Sequence, residues 1–210
     1  MPSLPDFLKV PSAVAVFRYA MAAKRSVLEP LFDRMQCEGP RYREKRAEIR
    51  SWTDSDALDV MTTTAGLQML QEHKVHQAIY EDTGATILLL SAAEMERFYK
   101  ETGISLYSRG PDSYVSGIKF AHAVSLVANQ YKHLGEWRQS PNKESQMRKL
   151  VAKLAGNAFR TDAASEFLLR TGFTTYKVFQ DALLSCSEGI VSSPIVVDGT
   201  SELPTVSLRG

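Results

Sequence analysis

The stretch from Ser113 to Arg138 carries apolar side chains on two opposite faces of a helix, and few folds accommodate that. At 100° per residue, Phe120, Val124, Val127, Tyr131 and Leu134 align into one stripe. The other side gathers Val115, Ile118, His122, Leu126, Asn129 and His133, then Glu136 with Trp137. A helix that is apolar on both sides packs on both sides, so the pattern predicts a central helix in a helical bundle. Its second face also carries two histidines, an amide and a carboxylate. Buried polar groups cost roughly 1–3 kcal/mol each unless they are hydrogen-bonded. These residues therefore either satisfy one another as a seam between helices or serve a chemical purpose.

The rest of the chain fits a mostly α fold. We expect one helical-bundle domain of about six helices over residues 1–190 and an extended tail over 191–210. The 210 residues suffice for one good core. A net charge of +1 excludes a globally basic field, so any nucleic-acid contact has to come from a local patch. Cys37 and Cys186 follow no metal spacing and read as free thiols of a reducing cytoplasm. No apolar run reaches the roughly 18 residues of a membrane span, and MPSLPDFLKV does not read as a signal peptide. A cytoplasmic protein without membrane contact is the expectation.

In chain order, Ser12 is a candidate cap, Pro30 a kink, and Gly39-Pro40 the end of a first helical stretch. Thr53 or Asp54 caps a second helix to about Tyr80, with Leu58, Met61, Leu67, Leu70, Val75 and Ile79 inward. Asp82-Thr83-Gly84 reads as a break. The following ATILLL, residues 85–90, is either helix or a buried strand pairing with Ile104–Tyr107 or the tail; periodicity alone does not decide. Ser91 to Glu94 has the form of a capping box for a short helix closed by Gly103. Asp112 or Ser113 would cap the central helix. Asn142 would cap an amphipathic helix with Met147, Leu150, Val151, Leu154, Ala155 and Ala158 inward. Thr161 would cap a helix ending at Gly172, and Thr174 or Thr175 one ending at Gly189.

Two polar clusters bear on function. RYREKRAEIR, residues 41–50, holds five positive and two negative side chains. It reads either as a solvated face laced with ion pairs or as a phosphate-contacting strip, because forked guanidinium donors suit phosphate oxygens. The strip offers Arg41, Arg43, Arg46 and Arg50, with Lys149 and Lys153 on the later helix as a second basic face. Tyr42 and Trp52 could add stacking surfaces. Glu72, His73 and His76 hold an HxxH, but nothing elsewhere completes a metal site, so exposed helix histidines are expected and no metal or other cofactor.

The segment VANQYKHLGEW, Val127 to Trp137, resembles a phrase found in uncharacterised bacterial proteins with helical cores. More distantly it resembles the signature helix of the HEPN superfamily, helical bundles that include ribonucleases of toxin–antitoxin, phage-defence and CRISPR systems. On that resemblance Asn129 matches the polar position and His133 the histidine, while Ala128 stands where the arginine belongs. The resemblance implies an RNA-acting protein of a bacterial defence or toxin–antitoxin system, either a metal-independent ribonuclease or a relative that binds without cutting. It also implies a homodimer with signature helices facing each other. In chemical terms, 2′-hydroxyl attack needs a base near neutral pKa, which His133 supplies, and a cation for the phosphate, which Lys132 supplies. Asn129 and Glu136 would orient the imidazole. The alternative is a non-catalytic helical interaction subunit whose polar seam fixes register and whose tail docks on a protein partner.

Overall fold

The computed structural model describes residues 6–113, 115, 117–132, 149–155, 163–188 and 190, with side chains from Ala13 onward except Asp54 and Ser55. Eight helices account for most of these residues: α1 (Asp6–Ala23), α2 (Arg25–Arg50), α3 (Asp54–Thr62), α4 (Thr64–Thr102), α5 (Phe120–Lys132), α6 (149–155), α7 (Ala163–Arg170) and α8 (Tyr176–Ser185). The mostly α expectation holds, with more helices than the six anticipated. The expected tail, residues 191–210, lies outside the described residues.

The organising element is α4. This 39-residue helix packs against α1, α2, α3, α5 and α7. Residues 82–90 are helical along their whole length, which corrects the break at Asp82-Thr83-Gly84 and decides residues 85–90 for helix over strand. Thr83 Oγ1 bonds back to the Ile79 carbonyl and Thr86 Oγ1 to that of Asp82, so both polar side chains are satisfied inside the helix. Gly84 is a contact glycine: a Cβ there would lie 2.8 Å from the Ser165 amide nitrogen on α7. Ser91 and Glu94 are interior too, Ser91 Oγ bonding the Ile87 carbonyl. The helix does end where expected, with Gly103 in the left-handed region at φ 70°.

Similar corrections apply to α1 and α2. The first helix starts at Asp6, ahead of Ser12, and the break before α2 falls at Lys24. Helix α2 continues through Pro30 and Gly39-Pro40 to Arg50. Gly39 again permits a close approach, because a Cβ would meet the Tyr80 ring at 3.0 Å. Thr53 forms the expected cap reciprocally with Asp56, but the helix it starts stops at Thr62. Leu58, Met61, Leu67 and Val75 are exposed, while Leu70 and Ile79 are half-buried. The inward face expected there is turned largely to solvent.

Helix α5 begins at Phe120, later than Asp112 or Ser113. A turn closed by the Asp112–Lys119 bridge occupies the preceding residues, including Val115 and Ile118. Its two-sided character is real: Phe120, Val124 and Val127 are buried on one side and Leu126 on the other. Phe120 gathers Phe167, Phe173 and Phe179, and Phe179 meets Phe32. The core therefore lies where α2, α4, α5, α7 and α8 converge. Val151, Leu154 and Ala155 of α6 join it. Met147, Ala158 and the caps proposed at Asn142 and Thr161 lie outside the described residues. The last cap is Thr175, whose helix α8 ends at Ser185, before Gly189.

Candidate anion-binding cleft on helix α2

The basic strip is sorted by its helix into paired and unpaired cations. Arg41 Nη1 reaches Glu38 Oε1 at 3.3 Å, and Lys45 Nζ reaches Glu48 Oε2 at 3.4 Å. Arg43 and Arg50 have no acidic partner among the described residues. They stand with Arg46 at i, i+3 and i+7, hence on one side of α2. These three arginines, with Ala47, Ser51 and Glu166 of α7, line an open cleft of about 490 Å³. Glu166 is also 3.9 Å from Arg170, so part of its charge is engaged there. Arg41, Lys149 and Lys153 do not line this cleft; the two lysines are exposed on α6.

Behind the cleft the aromatic residues are used internally. Tyr42 is 2% exposed and stacks on His73 of α4, centroids 5.4 Å apart and planes 18° apart. It also tilts against Tyr80 at 5.5 Å, and the Arg46 guanidinium carbon lies 5.7 Å from its centroid. Tyr42 is thus unavailable to stack on a nucleobase, contrary to expectation. Trp52 is half-buried. Neither histidine of the HxxH is a free surface residue. His76 Nδ1 is 2.7 Å from Glu38 Oε2, joining α4 to α2. Burial, then the positive charge of Arg46, then His76, hold the His73 imidazole below its ordinary pKa. Among the described residues no group of His, Cys, Asp and Glu is placed to hold a metal.

The α5 face divides between described and undescribed residues. Asn129 is half-buried, and Lys132 is exposed with its Nζ 3.3 Å from both carboxylate oxygens of Glu96 on α4. His133 and Glu136 lie outside the described residues. Ala128, at the position of the HEPN arginine, is 1% exposed, so that position faces the core. His122 stacks on Tyr107 at 5.6 Å, and burial lowers its pKa. Ser125 Oγ donates to the hydroxyl of the same Tyr107.

The sequence singled out the three cleft arginines but not Ser51, Glu166 or His73 as their neighbours. Ser51 follows directly from helical spacing. Glu166 comes from a helix more than a hundred positions later and had no local signal. No protein-family model, curated protein or solved structure matches this chain significantly, so the cleft is read from its own geometry alone.

Proposed function

We propose that the protein binds RNA through the arginine face of α2. The observation that supports this most is the sorting of charge along residues 41–50. The same helix that pairs Arg41 and Lys45 with acidic neighbours leaves Arg43 and Arg50, on either side of Arg46 in a cleft, without an ion pair among the described residues. Guanidinium groups carry forked donors that match phosphate oxygens, and a one-sided row of them follows a phosphate backbone. A chain of net charge +1 lacks a general attraction for polyanions, so such a row would supply the specificity of place. In this reading the protein is a HEPN-like RNA-acting component of a bacterial defence or toxin–antitoxin system, with Lys149 and Lys153 as a second phosphate contact. Cleavage by His133, with Asn129, Glu136 and Lys132, is a further step that the cleft does not require.

Fluorescence anisotropy of a labelled single-stranded RNA with the full chain tests the reading. Binding that weakens steeply with salt and is markedly weaker in Arg43→Gln/Arg50→Gln, but unchanged in Arg41→Gln, supports it. No binding, or equal loss in both variants, refutes it. Growth arrest with fragmented RNA for wild type, absent for His133→Ala, would add catalysis.

A second reading is a helical interaction subunit. It is favoured by the exposure of Leu58 (65%), Met61 (63%) and Leu67 (53%) around the α3–α4 elbow. Large apolar side chains grouped on a surface mark a docking face for a protein partner. Leu58→Ser/Met61→Ser would abolish assembly in that case and leave RNA binding intact.

A further inference from the structure

A titratable residue, His73, is linked to the cleft through Tyr42 and Arg46, the latter a lining residue. His73 lies flat on Tyr42, and Arg46 lies over the same ring. Tyr42 is fixed by burial and by Tyr80, so the group has a rigid centre. The Nδ1 of His73 is buried and finds no hydrogen-bond partner among the described residues. The groups that act on this imidazole are Tyr42 and Arg46 from α2 and His76 from α4, the last held by Glu38. The guanidinium of Arg46 opposes a second positive charge at His73, and it is also a wall of the cleft. An anion bound at Arg46 offsets that field and favours the imidazolium.

We propose that His73 is a positioning residue that couples anion binding in the arginine cleft to uptake of one proton. The cleft then holds phosphate-bearing ligands more tightly at mildly acidic pH than at neutral pH. This rests on the reading of the cleft as an anion site. Linkage sets the sign. Binding strengthens as pH falls through the pKa that His73 has in the complex, and levels off below the lower pKa it has without the anion.

The test follows the histidine rings of the full chain by NMR titration, with and without a short polyuridylate, beside binding isotherms at about pH 7.5 and 5.5. Polyuridylate itself does not titrate in this window. The expected results are a higher His73 midpoint in the complex and affinity about fivefold greater at the lower pH. Arg46→Gln should raise the His73 midpoint with no ligand present. His73→Gln should flatten the pH dependence, whereas His76→Gln should keep it. An unmoved His73 midpoint in the complex, or undiminished pH dependence in His73→Gln, overturns the coupling while leaving RNA binding in place. If polyuridylate binds at neither pH, the RNA reading falls. The coupling then stands or falls on whether sulfate raises the His73 midpoint over chloride at matched ionic strength.

Discussion

Gly84 of α4 and Ser165 of α7 meet backbone to backbone: a Cβ on the glycine would stand 3.0 Å from the serine Cα. Ser165 Oγ uses the closeness to donate to the Tyr80 carbonyl at 2.5 Å, one turn earlier on α4. We expect Gly84→Ala to destabilise the protein by about 1–3 kcal/mol through overpacking, although alanine favours helices intrinsically. Urea denaturation measures this. A stabilised Gly84→Ala would mean the two helices are free to separate.

Arg43 and Arg50 should act through salt-dependent attraction. For single-stranded RNA, the slope of log affinity against log salt should become shallower by about 1.4 in Arg43→Gln/Arg50→Gln, as expected for two lost phosphate contacts. Arg41→Gln should leave the slope unchanged, because Arg41 is held by Glu38. Anisotropy titrations at several salt concentrations give the slopes.

Two histidines make stability pH-dependent. Burial leads among the causes that depress His73 and is the cause for His122. The unfolded chain therefore takes up protons at the ordinary imidazole value, about 6.5, before the folded chain does. Stability should be level above that value. It should fall as pH drops through it toward the depressed folded values, and level off below them. Denaturation midpoints across this window should show the decline, and His73→Gln/His122→Gln should flatten it even if it lowers stability overall.

The two thiols should differ sharply in reactivity. Cys37 is exposed, whereas Cys186 is buried and its pKa is pushed up to about 11. Nucleophilic attack needs the thiolate. A thiol-specific chromogenic reagent at neutral pH should modify Cys37 promptly and Cys186 only on unfolding. Prompt release of two equivalents from the native protein would contradict the burial of Cys186.

The sequence made the helical class, several caps and the arginine cluster legible because each rests on local spacing. Thr53, Gly103 and Thr175 act where they were expected to, since a cap is decided by a handful of neighbouring atoms. Errors arose where tertiary contact reverses a local signal. Gly84 looked like a break but is a crossing point, and its partner Ser165 is distant in sequence. Leu58 and Met61 looked like core but face solvent, because α3 turns away at Thr63. The candidate site was half legible: α2 placed Arg43, Arg46 and Arg50 together, whereas only folding brought Glu166 into their cleft and His73 onto Tyr42 behind it.

At 1.5 Å per residue α4 is about 58 Å long, yet its buried residues, Gly66 apart, begin at Tyr80. On α2, which packs along it, burial ends at Tyr42. The distal end of this helical pair, with α3, is therefore held by few apolar contacts, and it is where the arginines sit. Regions so constituted open locally at a fraction of the global unfolding free energy. Amide hydrogens of residues 43–72 should exchange through such openings well ahead of residues 80–98. The surface that meets a ligand would then be the least costly part of the molecule to reshape around one.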